Sequence, residues 1–208
     1  PPCRGQAAGN CDSIPLVPAI RIRFSHAIRN IRPCLRARSR RRVAVRIHGV
    51  MAAHDRLIVD SAALAAICRQ FASESFISVD TEFMREKTYW SRLCLVQLAG
   101  SDREGAIDPL AEGIDFAPLY DLLSNAQVLK VFHAARQDLE IFFHRMGRLP
   151  APIFDTQIAA MVCGFGDQVA YDRLVAKLTG ERIDKAFRFT DWSLRPLRDR
   201  QIEYAISD

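Results

Sequence analysis

The sequence predicts an α/β domain, a mixed sheet flanked by helices, over residues 51–208. Two observations carry this. Three consecutive strand patterns are joined by short turns, and strand and helix patterns alternate after them. The chain, at 208 residues with 49% hydrophobic and 25% charged side chains, is long enough for one well-cored domain and too short for two large ones. No apolar run approaches the ~18–20 residues that a membrane-spanning helix needs. Nothing calls for a bilayer or an obligate protein partner.

The elements follow in order. Leu57-Ile58-Val59 is a short strand, and Asp60 or Ser61 caps an Ala-rich helix to about Phe71. Phe76–Phe83 (FISVDTEF) and Leu93–Ala99 (LCLVQLA) are strands, and Gly105–Asp108 is a third short one, ended by Pro109. A helix is expected around Phe116–Leu123, then a strand over Val128–Phe132 (VLKVF). Ala134–Met146 is a helix closed by Gly147, whose freedom at positive φ suits a C-terminal cap. Helices are expected near Thr156–Cys163, Val169–Leu178 (closed by Gly180) and Leu197–Ser207.

The first fifty residues are of another kind. They hold eleven Arg, no Lys and a single acid, Asp12, which leaves 18 basic against 23 acidic residues in the remainder. The net charge of +5 therefore belongs to this leader. The folded part is mildly acidic, so bulk charge does not argue for nucleic-acid binding. Such a leader suits disorder, as a transit peptide, a basic RNA-binding arm or translated upstream sequence. The change to foldable sequence at Met51 favours the last of these. Six cysteines, at 3, 11, 34, 68, 94 and 163, include no C-x-x-C pair. Those at 68, 94 and 163 are expected to be buried reduced thiols, which fits a reducing cytoplasm.

Carboxylates stand where they are expensive. Asp80 and Glu82, two apart on an apolar strand, point to one face, where they repel each other and lose hydration. A divalent cation removes both problems, since hard oxygen ligands suit Mg²⁺ or Mn²⁺. Asp102 and Glu104 share the spacing but sit in a polar turn, where a solvated pair costs nothing. Tyr204 and Asp208, four apart, share a helix face. Asp138 opens the helix after VLKVF, as a site residue or as a first-turn acid complementing the helix dipole.

The segments VDTEF, HAARQDLE (133–140) and TDWSLRPL…YAISD (190–208) together resemble the three exonuclease motifs of the ribonuclease D family, and TYWSRLCLVQLA, AIDPL and IFDTQIAA have the same character. The resemblance covers nearly all of residues 55–208 and implies a ribonuclease H-like exonuclease fold. It places the family's four metal-binding acids on Asp80, Glu82, Asp138 and Asp208, and the tyrosine of its Tyr-containing subclass on Tyr204. Asp155 is expected to be structural. Lys185 and Arg195 match basic positions that contact phosphates or salt-bridge within the fold. The last acid, Asp208, stands in mid-helix, so the domain is expected to be truncated in that helix and Asp208 poorly held.

The chemistry implied is removal of nucleoside 5′-monophosphates from the 3′ end of RNA with two divalent ions, Mg²⁺ or Mn²⁺. Asp80 would bridge both ions, Glu82 and Asp208 would complete the first site, Asp138 would hold the second, and Tyr204 would orient the attacking water. The implied substrates are RNAs with a free 3′ end, such as transfer RNA precursors or other small structured RNAs. Phe83 and His133 are candidates to line the terminal-nucleotide pocket, or are ordinary core and helix-leading residues. Two rivals share these features: a proofreading-type DNA exonuclease, and a non-catalytic RNA-binding module.

Overall fold

The computed structural model describes residues 56–86, 88–183, 187 and 189–207. The leader, Met51, Lys185 and Asp208 lie outside them. The described residues fall within one compact unit, Gly49–Asp208. Six strands, β1 (Leu57–Ile58), β2 (Phe76–Met84), β3 (Arg92–Ala99), β4 (Glu104–Ile107), β5 (Leu129–Phe132) and β6 (Ile153–Asp155), form one sheet in the order β1-β4-β3-β2-β5-β6. β2, β3 and β4 pair antiparallel, while β1–β4, β2–β5 and β5–β6 are parallel, so the sheet is mixed as expected.

Six helices accompany it: α1 (Ser61–Phe71), α2 (Ala117–Ser124), α3 (Arg136–Met146), α4 (Thr156–Val162), α5 (Tyr171–Thr179) and α6 (Asp199–Ser207). Asp60 caps α1, its carboxylate accepting from the N–H groups of Ala62 and Ala63 at 2.9 Å. Gly147, at φ 69°, ends α3 in the left-handed conformation that glycine adopts without a Cβ clash.

Period-two alternation divides β2 between two cores. Ile77 and Val79 join the larger one, with Leu64 and Phe71 of α1, Leu119 and Leu123 of α2, and Phe142 of α3. The second core sets Trp192, Leu197 and the α6 residues Ile202, Tyr204 and Ala205 against Cys94, Leu95 and Ala106 of β3 and β4. Between Glu82 and Phe83 the β2–β3 register slips: Glu82 faces Leu95 and Phe83 faces Leu93, leaving Cys94 as the extra residue of a bulge.

Two expectations need correction. β6 is a strand that the sequence reading omitted, because three residues are too few to show alternation. Cys163, expected to be buried, lies exposed at the end of α4, whereas Cys68 and Cys94 are buried thiols. Among the described residues no helix is long and apolar enough to cross a membrane.

Lys130, in the middle of β5, is fully buried. Its Nζ donates to the carbonyls of Asn125 (2.8 Å), Val128 (2.7 Å) and Ala151 (2.5 Å), and burial pushes its pKa down to about 8. The ammonium thus joins the α2–β5 turn to the segment before β6. Lys130→Met would leave three carbonyls without this donor, and urea unfolding is expected to show a loss of about 2–4 kcal/mol. An unchanged urea midpoint would contradict this role for Lys130.

Candidate active site

The acids of β2 stand at the bulged end of the central strand. Alternation sends Asp80 and Glu82 to the sheet face opposite Ile77 and Val79. They line a cavity of about 540 Å³ together with Asp138, Tyr204, Phe83 and His133. Six of the nine residues proposed from sequence therefore share one cavity, although they come from β2, the turn after β5, the start of α3 and α6.

Asp138 approaches from the α3 layer. It occupies the first turn of that helix, where a carboxylate also complements the helix dipole. A solvated first-turn acid would be exposed, yet Asp138 is only 7% exposed. The Thr81 hydroxyl, which alternation places on the α3 side of β2, donates to its carboxylate. Burial pushes the Asp138 carboxyl up to about 6 against the opposing hydrogen bond from Thr81, and the charge of Asp155 adds to the rise. Thr81 was missed in sequence, since a threonine between two acids is unremarked until a helix is seen to meet it.

The turn leading into α3 is held in place. Ala134 has a positive φ of 57°, a conformation that costs an L-residue roughly 1–2 kcal/mol. The Asp155 carboxylate accepts from the N–H groups of Ala134 (3.1 Å) and Ala135 (2.9 Å) and also caps α4 through Gln157 and Ile158. Asp155 thus has the structural task expected of it, fixing the turn that positions Asp138.

Tyr204 is 7% exposed, with its ring centroid 6.2 Å from that of Trp192. The cavity is also bordered by Phe189, which is 93% exposed and which sequence reading did not single out. Phe83 both packs on the larger core and lines the cavity, so its two readings coexist. His133 presents its ring to the cavity while both nitrogens are engaged, Nδ1 with Thr156 Oγ1 at 2.9 Å and Nε2 with the Val169 carbonyl at 3.0 Å.

Arg195 is elsewhere. Its guanidinium meets the Asp108 carboxylate twice at 2.7 Å, and its other N–H groups reach the carbonyls of Cys94, Trp192 and Leu194 at 2.7–2.8 Å. All five N–H groups are engaged within the fold, which leaves none for a phosphate. Of the two roles left open for Arg195, phosphate contact and salt bridging within the fold, these contacts show the second. Gln97, opposite Asp80 across the β2–β3 pair, was also missed; it is 7% exposed and its amide has no hydrogen-bond partner among the described residues.

Among the described residues no three His, Cys, Asp or Glu side chains converge closely enough to enclose a metal ion. Even so, the donor set is suited to a divalent cation. Three hard carboxylate donors border one cavity, and the most buried of them is held well above the usual carboxylate range by its burial.

The cost of that burial has a measurable sign. The Asp138 carboxyl titrates higher in the folded chain than its ordinary 3.8, so the metal-free folded state loses stability as pH rises from about 4 to about 6. The full loss, on the order of 1–3 kcal/mol, persists above that window. Asp138→Asn keeps an acceptor for Thr81 and is expected to flatten this part of the profile of melting temperature against pH in EDTA. An identical profile in the two proteins would contradict the assignment.

A 3′-5′ exonuclease family profile matches residues 56–208. The chain is 60% identical over 152 residues to ribonuclease D of Gluconacetobacter diazotrophicus, covering 73% of this chain and 39% of that protein. It is also 60% identical, over the same length, to ribonuclease D of Acidiphilium cryptum. The chain thus spans about two fifths of the length of the curated relatives it matches. Among solved structures it is similar to Escherichia coli RNase D, an exoribonuclease involved in structured RNA processing (TM-score 0.70, 39% identity, 73% of this chain and 40% of that one). It is also similar to Brucella melitensis NrnC with bound Mg²⁺ (TM-score 0.59, 28% identity, 66% and 68%).

Proposed function

Since the chain belongs to the 3′-5′ exonuclease family, we propose that it is the hydrolytic core of a ribonuclease D-like enzyme that removes nucleoside 5′-monophosphates from the 3′ end of RNA. The observation that carries this reading is the cavity at the end of β2, which Asp80, Glu82, Asp138 and Tyr204 border together. The similarity to RNase D, whose E. coli member processes structured RNA, favours RNA over DNA. Transfer RNA precursors with unpaired 3′ ends are the substrate class this reading names, and the cytoplasm is the compartment.

Asp80, Glu82 and Asp138, with Asp208, would hold Mg²⁺ or Mn²⁺, two ions in this reading. Bound there, the metal supplies positive charge against the scissile phosphate and the departing 3′-oxygen. The protein's own groups do the rest. Tyr204, held by its packing on Trp192, directs its hydroxyl to orient the attacking water, since an ordinary phenol is too weak an acid for its anion to be the general base at neutral pH. Phe83 offers an apolar wall to the terminal base, and the His133 ring, fixed through both nitrogens, closes the cavity beside it. Thr81 and Asp155 act through Asp138, one by hydrogen bonding its carboxylate and the other by fixing its helix.

The test is digestion of a 5′-labelled single-stranded RNA with Mg²⁺ or Mn²⁺, beside the same sequence as DNA. A ladder shortening from the 3′ end is expected, abolished by EDTA and reduced ~10²–10³-fold by Asp80→Ala, since loss of one charge-stabilising group costs about that much. Preferential digestion of the DNA would instead support a proofreading-type nuclease. RNA binding without cleavage by the folded protein would support a non-catalytic module.

A further inference from the structure

The connection between β2 and β3 carries two large aromatic side chains on the outside of the fold. Tyr89 is 79% exposed and Trp90 44%. The rings are nevertheless fixed. Tyr89 meets Trp90 edge-on, centroids 5.0 Å apart at 90°, and Trp90 stacks on His144 at 4.6 Å and 13°. His144 belongs to α3, the helix that carries Asp138. Four residues earlier on the same helix, Glu140 meets Arg85 of the connection at 3.6 Å. Positions four apart share a helix face, so the connection is fastened to one face of α3 at two points.

Its place relative to the cavity is also fixed. β2 runs from Asp80 and Glu82 to its last register pair, Met84 with Arg92, and Arg85 and Glu86 form the rim of the site cavity. Tyr89 follows three residues later, at most about 10 Å along the chain. The two rings therefore stand within reach of a strand that leaves the cavity over this rim.

We propose that Tyr89 and Trp90 form a stacking platform for unpaired bases upstream of the 3′-terminal nucleotide; this rests on the reading of the cavity as a 3′-end site for RNA. Nucleic-acid bases of every kind stack on exposed aromatic rings, so such a platform is tolerant of sequence. Because the rings are already ordered by His144 and by each other, little conformational freedom is lost when a base arrives. Arg85 is engaged by Glu140 of α3, so the exposed rings, rather than that guanidinium, are the surface this connection offers to an upstream nucleotide. The platform selects single-stranded tails of several nucleotides over dinucleotides, whose bases end at the cavity.

The chain has only two tryptophans, and the other, Trp192, is 2% exposed. Trp192 also borders the cavity, so the part of the intrinsic-fluorescence change that is lost in Trp90→Phe is the part that reports on Trp90. Oligoadenylates of two to eight nucleotides would be titrated in EDTA, and their hydrolysis followed separately in Mg²⁺. Quenching that strengthens with length is expected, with about tenfold tighter binding and lower KM for long RNAs than for the dinucleotide. Tyr89→Ala should remove that gain while leaving dinucleotide hydrolysis unchanged, and Tyr89→Phe should keep it. Equal affinity at all lengths, or an equal loss on the dinucleotide in Tyr89→Ala, would overturn the platform. Hydrolysis without length dependence or quenching overturns the platform and leaves the activity; length-dependent quenching without hydrolysis does the reverse.

Discussion

The ion pair between Arg195 and Asp108 is the constraint on which the rest of this domain depends. Asp108 follows β4 and is buried, and Arg195 lies in the segment between Trp192 and α6. The same guanidinium takes the carbonyl of Cys94, the extra residue of the β3 bulge opposite Glu82 and Phe83. One planar side chain thus joins the bulge behind the site acids to the segment that delivers Tyr204. Breaking a buried pair by removing one partner costs about 3–5 kcal/mol, because it strands a charge. Here it would also release the two elements whose spacing the chemistry requires.

Against that framework the site is destabilising. Asp138 is buried beside Thr81 at a raised pKa, Ala134 is held at positive φ, and Gln97 is buried opposite Asp80 without a partner among the described residues. The cores built on Leu64, Phe71 and Phe142 and on Trp192 and Ile202 offset these costs through apolar burial. A divalent cation bound there would offset the electrostatic part directly, and metal binding would then be coupled to stability.

Much of this was legible in the sequence because the signals were local. Alternation in FISVDTEF marked β2 and put Asp80 and Glu82 on one face; Asp60, Gly147 and Gly180 marked helix ends where helices do start and stop. What could not be read depends on contacts between distant segments. Arg195 is 87 residues from Asp108, and Lys130 looks like a solvated strand residue until three carbonyls are seen around its ammonium. Thr81 gains its role only when α3 arrives, and β6 is too short to have a period. The resemblance placed Arg195 at a basic position and left open whether its partner was a phosphate or the protein; only the folded geometry decides.

The most direct measurement is calorimetric titration of Mn²⁺ into the metal-free protein at pH 8, beside Asp80→Asn. The expected result is saturable binding by the unsubstituted protein that is lost in the variant, with both folded by circular dichroism. Absence of binding, or equal binding by the two proteins, would contradict the claim that the acids of β2 and α3 form a cation-dependent nuclease site.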